Sequence, residues 1–369
     1  MKKFQVILVL LIAAIALILA IKNSFSEEQE PIVENTEEVT PLVEEEEQEP
    51  TTRVLKLNED TLEVYEPLVS SQPVARFAEP VGKNDDVSTY RIVGDRVYYK
   101  QMQDGFVTVA SSDFAGAEQL LDFTQVDTNK GISMDGFVMS DDETKVAWTT
   151  QQLFEGATGF VIESKLFVAD VESEVVTELY ATSFENREAY LLPVRWSNDL
   201  ENLYFTEEPS GLGGYILFKS WYDLKRINLE SKEIISYGGG IYDISTDEQL
   251  LTKVTTYASG EVSILAQKLV GEENYSFLIP LEGGFTSAGN VYLSPSGTRI
   301  AYDLVANNPD EEKYRVVVGN LADGETVTVV EQADFFPNVV RWLDDETLLL
   351  DANGVYYLVN ADGSDLRAF

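Results

Sequence analysis

The sequence predicts an all-β fold. It reads as a β-propeller of six, alternatively seven, four-stranded blades, preceded by one N-terminal transmembrane helix and a disordered acidic linker. Three observations lead there: a phrase of strand, polar turn and strand recurs about every forty-nine residues; each copy is followed by a second hairpin; and no helical period occurs after residue 50.

The recurring phrase reads Phe137 to Trp148, Val194 to Phe205, Tyr242 to Thr252, Val291 to Tyr302 and Val340 to Leu350, with a weaker copy at Tyr90 to Tyr99. A serine marks the turn at 140, 197, 245 and 294, and a leucine takes its place at 343, giving spacings of 57, 48, 49 and 49 residues. The second hairpins begin at Leu166 to Asp170, Leu224 to Asn228, Arg315 to Asn320 and Tyr356 to Asn360, each ending on the Asp or Asn that favours a tight reversal. Two hairpins per repeat make four strands, and radial repetition lets a 369-residue all-β chain manage without a second core. Six blades are expected at about 89–123, 135–182, 191–238, 240–280, 288–331 and 338–369. The remaining hairpin, Arg53 to Tyr65, is expected to cover the edge of the last blade, or else to be half of a seventh.

Ser294-Pro-Ser-Gly-Thr-Arg-Ile-Ala-Tyr302 and Ser140-Asp-Asp-Glu-Thr-Lys-Val-Ala-Trp148 resemble the Ser-Pro-Asp-Gly-Lys-x-Ile-Ala-Phe phrase of TolB-type, WD40-like propeller repeats, and Asn360-Ala-Asp-Gly363 looks like that family's second turn. The likeness spans residues 53–369 and implies blades without implying an activity.

Ahead of the repeats, Met1 to Lys3 is basic, and Phe4 to Ile21 has Gln5 as its only polar residue, long enough to cross a bilayer with the remainder outside the cytoplasm. A cleaved signal peptide ending near Ser26 competes, but the apolar run is long for one and Lys22 interrupts it. Residues 1–25 are therefore read as the anchor, 26–52 as the linker and 53–369 as the propeller. Ser26 to Pro50 holds eleven Glu and no base, a composition that self-repels and stays extended.

The chain has 64 acidic and 26 basic residues, a net charge of -38, and neither His nor Cys. That charge repels nucleic acid, and the two missing residue types exclude His-based triads, thiol nucleophiles and thiolate or imidazole metal sites. No nucleophile elbow, P-loop, dinucleotide fingerprint or EF-hand loop is present. No catalytic residue, metal or cofactor is assigned, since the acidic turns Asp141-Asp142-Glu143 and Asp344-Asp345-Glu346 are explained by turn chemistry. The expected function is non-catalytic binding of an envelope or surface protein or peptide, with a carboxylate-based glycoside or peptide hydrolase as the alternative.

Binding belongs on the face with long loops, namely Thr149 to Ser164, Thr206 to Ser220 and Asp303 to Lys313, because the opposite turns are short and acidic. Phe154, Phe160, Tyr215, Phe218, Trp221 and Tyr222 are the candidate contacts, although Phe218 to Tyr222 reads equally well as a strand packed between blades. Arg195, Asp243 and Arg341 occupy one repeat position, two before the turn mark, on the innermost strand. Arg195 and Asp243 are expected to form an ion pair or to share the central channel.

Overall fold

The computed structural model describes residues 52–58, 61–78, 90–153, 161–183, 189–209, 218, 220–256, 262–269, 274–278, 285, 287–308, 311–331 and 337–369. Residues 1–51, with the expected anchor and nearly all of the linker, lie outside them; among the described residues no helix is long and apolar enough to cross a membrane.

Seven antiparallel sheets follow one another along the chain. The first has three strands, β1 (Val54–Asn58), β2 (Thr61–Tyr65) and β3 (Ala75–Ala78); the second has four, β4 (Arg91–Val93), β5 (Arg96–Gln103), β6 (Phe106–Asp113) and β7 (Glu118–Asp127). The third comprises β8 (Ile132–Met139), β9 (Lys145–Leu153), β10 (Val161–Asp170) and β11 (Val176–Ser183), and the fourth β12 (Ala189–Trp196), β13 (Asn202–Pro209), β14 (Leu224–Asn228) and β15 (Ile234–Gly238). The fifth comprises β16 (Ile241–Ile244), β17 (Leu250–Thr256), β18 (Val262–Lys268) and β19 (Asn274–Leu278), and the sixth β20 (Ser287–Leu293), β21 (Arg299–Asn308), β22 (Glu311–Asn320) and β23 (Thr326–Glu331). The seventh is β24 (Asn338–Trp342), β25 (Thr347–Ala352), β26 (Val355–Asn360) and β27 (Arg367–Ala368).

The ring therefore has seven blades, which corrects the preference for six. Arg53 to Tyr65 does not cover the last blade, which makes its own outer strand at Arg367–Ala368; β2 pairs instead with β3, whose Ala75 and Phe77 join Leu62 and Val64 against Tyr90, Val97 and Tyr99 of the second blade. That apolar face makes a blade of the hairpin. Two boundaries also shift: β7 continues to Asp127, and Asp303 to Lys313 is not a loop, since β21 and β22 pair continuously out to Asn308 and Glu311.

First strands of successive blades touch each other, β8 with β12, β16 with β20 and β20 with β24, so they line the axis of the ring. The marker serine explains the repeat. The buried Ser140, Ser197, Ser245 and Ser294 each accept, on Oγ, the N–H that opens the second strand (Lys145 2.9 Å, Asn202 2.9 Å, Leu250 2.9 Å and Arg299 3.2 Å). In three of them Oγ also donates to the Asp two residues on, at 2.7, 2.5 and 2.6 Å. Where Leu343 replaces serine, Asp344 accepts the N–H of Thr347 instead, at 2.6 Å.

Other polar groups tie each blade to its neighbour. Trp196 Nε1 donates to the Val138 carbonyl (3.3 Å) and Trp342 Nε1 to that of Tyr292 (3.0 Å), two equivalent bonds to the preceding blade, three blades apart. A base at or just before the second strand reaches the next blade's short turn: Arg53 to Asp95 (2.8 Å), Arg96 to Glu143 (3.7 Å), Lys145 to the Leu200 carbonyl (2.9 Å) and Arg299 to the Asp345 carbonyl (3.1 Å).

Arg195 and Asp243 do neighbour each other across the seam of blades four and five, but each bonds onward. Arg195 donates to the carbonyls of Ile244 (3.4 Å) and Ser245 (3.3 Å) and pairs with Glu248 (3.7 Å). Asp243 accepts the N–H of Leu293 in blade six (2.8 Å) and of Ile244 (2.8 Å). One blade further, buried Asp303 accepts the N–H of Val339 in blade seven on both oxygens (3.2 Å) and the amide of Asn290 (2.6 Å). Desolvation raises Asp243 to about 7, against the opposing pull of those N–H groups and of Arg195, and raises Asp303 to about 8.

Among the described residues the seam between blades seven and one closes without an exchanged strand. Val54 packs on Leu343, Leu349 and Leu358; the Tyr65 and Phe369 rings meet edge to face at 5.1 Å; and Thr52 Oγ1 donates to the Leu343 carbonyl at 2.6 Å.

Two outcomes follow. Because Asp243 and Asp303 hold protons in the folded chain that an ordinary carboxyl has released by about pH 4, their contribution is full below that pH and is lost as pH rises through 7 and 8. Thermal melts of the protein between pH 5 and 8 are expected to show falling stability, with a shallower fall in Asp303→Asn. Leu349→Ala, at a fully buried position of the closing seam, is expected to cost about 2–5 kcal/mol in a denaturant titration.

Candidate binding site

A cleft of about 410 Å³ opens between blades two and three. Strand alternation builds it. In the β9–β10 register Trp148 faces Phe167, Thr150 faces Lys165 and Gln152 faces Glu163, so one sheet face grades from aromatic to charged along its length. Trp148 and Phe167 stack at 5.5 Å with 20° between their planes and form the floor. Phe123 and Gln125 of β7 make the opposite wall, Ile132 of β8 closes one side, and Asp127 and Lys130 stand at the rim. The turn carrying that rim, Thr128–Lys130, is capped by Asp127, whose carboxylate accepts the Asn129 N–H at 3.1 Å, and ends on Gly131 in the left-handed region at φ 71°.

The charges of the cleft are paired with one another. Lys165 lies 3.5 Å from Glu163 and 3.4 Å from Glu178; its partial burial would lower its pKa, but the two carboxylates outweigh this and raise it. Lys130 lies 3.2 Å from Asp127; desolvation alone would raise the Asp127 pKa, but Lys130 and Asn129 together outweigh it and lower it. Two basic and two acidic side chains, Lys130, Lys165, Asp127 and Glu163, thus line the cleft around an apolar floor. This suits a ligand that brings an apolar or aromatic group flanked by hydrogen-bonding or charged ends.

Of the six residues picked from the sequence, Phe154, Phe160 and Tyr215 lie outside the described residues. Phe218, in the β13–β14 connection of blade four, packs on the innermost strand of blade six: a Cβ at Gly289 would come within 2.1 Å of its ring, so that position requires glycine. Trp221 belongs to the seam of blades four and five. Its N–H donates to the Ile241 carbonyl (2.7 Å), its carbonyl accepts from Gly240 (3.0 Å), and its ring packs with Tyr204, Leu224 and Ile241. Tyr222, 49% exposed, is open to solvent, and its N–H donates to Glu208 at 3.1 Å. The cleft was not among the sequence-derived candidates, although its mouth lies at the base of one long loop: Gln152 and Glu163 flank residues 154–160, the connection between β9 and β10. The signal that could have found it is Trp148 and Phe167, each placed on its strand so that one hairpin face carries both rings.

No cluster of three or more acidic groups that could hold a metal occurs among the described residues. The raised carboxyls of Asp243 and Asp303 have the protonation of general acids at neutral pH, yet both are occupied by backbone N–H groups of the next blade.

No family model and no curated protein sequence matches this chain. Solved structures do. An oligogalacturonate lyase in complex with manganese aligns over 81% of this chain and 82% of its own at 13% identity, with a TM-score of 0.56. An acylaminoacyl peptidase in complex with a chloromethyl ketone aligns over 86% of this chain and 52% of its own at 11% identity, TM-score 0.50. TolB from Acinetobacter baumannii aligns over 84% and 77% at 13% identity, TM-score 0.40. At these identities the likeness extends to the fold alone, and it agrees with the ring of blades read from the repeat.

Proposed function

We propose that this chain is a TolB-like propeller module, tethered to a membrane by Phe4 to Ile21 and facing away from the cytoplasm, that binds an envelope or surface protein or peptide without catalysis. The observation that carries the reading is the cleft between blades two and three: an aromatic floor with mutually paired charges at the root of a long loop is a recognition surface on a rigid scaffold. Phe154 and Phe160, on the 154–160 connection, would extend that surface, and exposed Tyr222 would add a contact on the same face. Short turns on the other face carry Asp142, Asp199 and Asp247, which are tied into their own turns and would repel the acidic partners that the chain as a whole repels. The hydrolase alternative draws support from the raised carboxyls of Asp243 and Asp303, and their service as ties between blades weighs against it.

The test is affinity capture from native membranes with the exposed part as bait, followed by titration of the captured partner. Phe123→Ala combined with Lys165→Ala is expected to weaken binding about tenfold or more, equivalent to about 1.4 kcal/mol, with little change in melting temperature. Unchanged affinity would place the interface elsewhere. Amino-terminal sequencing of the membrane-derived protein is expected to start at Met1 or Lys2; a start at Glu27 would show that the apolar segment is removed.

A further inference from the structure

β7, the outermost strand of blade two, departs widely from the ladder it makes with β6. Val107 pairs with Val126 and Val109 with Leu121, so residues 122–125 all stand opposite Thr108. The outer strands β11, β15 and β23 each carry only one extra residue where their own ladders shift. The wide bulge in β7 is held from within. Fully buried Thr124 accepts the Val109 N–H on Oγ1 (2.9 Å), and the same oxygen donates to the Leu121 carbonyl (2.8 Å). With Thr124 turned inward, its neighbours Phe123 and Gln125 both line the cleft toward blade three. A bulge that re-aims side chains in this way is a device of binding sites, and here it makes one wall of the concavity.

The charges around that wall are unequal. Lys165 is held between Glu163 and Glu178, and Lys130 is held by Asp127, so each cation already has an acidic partner. With Glu178 counted at the margin, three acidic side chains face two basic ones. The β10–β11 hairpin, which carries Phe167 and Val176 into the cleft, adds exposed Asp170, Glu172 and Glu174 at its turn without a base among them. The whole chain bears a net charge of -38. A cation is drawn to such a place and an anion is turned away. Thr150, Gln125 and Gln152 also line the cleft, and their side chains make no hydrogen bond among the described residues. Two amides and a hydroxyl are suited to the N–H and C=O groups of an extended peptide.

We propose that the cleft accepts an arginine from an extended basic segment of a partner protein, with its aliphatic stem on Phe123 and Phe167 and its guanidinium at Glu163, an inference that rests on reading the cleft as the recognition surface. Arginine suits this place better than lysine, because a planar guanidinium takes a carboxylate through two parallel bonds and lies flat on aromatic rings. Lys165 fixes the Glu163 carboxylate for that contact, and Asp127 adds a second carboxylate at the rim. Gln125 and Gln152 hold the peptide backbone on either side.

The test pans the full-length chain against phage-displayed random heptapeptides and titrates the selected peptides, made synthetically and labelled, by fluorescence anisotropy. Selected sequences are expected to share an arginine, and to bind less tightly as salt is raised. Replacing that arginine by citrulline, which keeps the shape and removes the charge, is expected to weaken binding about tenfold or more. Glu163→Gln should do the same, while Glu163→Asp, which keeps the charge, retains most of the affinity and separates loss of charge from loss of fold. Glu230→Gln, in the β14–β15 turn, should change nothing. Peptides that need Phe123 but carry no arginine, or that bind equally well as citrulline forms, would overturn the arginine assignment and leave the cleft as the recognition surface. Peptides that bind Phe123→Ala as tightly as wild type, or a selection that enriches no sequence, would overturn both.

Discussion

A ring of sheets stands or falls on its seams, because each blade buries only one face against each neighbour and its polar edge groups must find partners across the gap. Here most of these partners run forward along the chain, while the indoles of Trp196 and Trp342 reach back to the preceding blade. Arg195, Asp243 and Asp303 each bond to the following blade, and Arg53, Arg96, Lys145 and Arg299 each reach the following short turn. Apolar burial supplies most of the driving force, but it is tolerant of small rotations of one blade on another. Directional bonds are not, and they fix the angle between blades and with it the number that closes the circle.

Two of these bonds use carboxyls in places where water is scarce. Holding Asp243 and Asp303 against backbone N–H groups offsets part of the cost of burial, and their raised pKa values show that the remainder is met by keeping the proton. A strongly acidic chain gains from this twice: negative charge at these two sites is reduced, and the seams of blades five, six and seven keep acceptors that bind N–H groups in either protonation state.

The repeat was legible because its marker does a chemical task. A buried serine that accepts one N–H and donates to an Asp two residues on leaves a pattern in sequence, and the pattern survives in Asp344 even where serine becomes Leu343. The first blade was not legible as one. β3 is four residues long, follows soon after Pro73, and carries Arg76 between Ala75 and Phe77; what makes it a strand is the face of Tyr90, Val97 and Tyr99 it packs on, which is a tertiary fact. Arg195 and Asp243 were placed in the right seam, but their partners depend on rotamers that spacing does not determine. The cleft was hidden for a similar reason: Phe123 and Lys165 are far apart in sequence, and only the seam brings them to one concavity. The aromatics chosen from loop composition divided accordingly, with Trp221 buried in a seam and Tyr222 left in solvent.

Closure between Val54 and the last blade also sets how the molecule bears load. Any pull transmitted from the amino-terminal side enters at Thr52 and Arg53, and the first bonds in its path to the last blade are those from Thr52 to Leu343 and from Arg341 to Arg53, with Arg53 also tied to Glu66 and Asp95. Behind them stands the packing of Val54 on Leu349 and Leu358, and only then the ladder of β1 with β2. Under tension the ring would part at this seam before any blade lost its own sheet, giving an opened but still folded chain of blades that can close again when the force is removed.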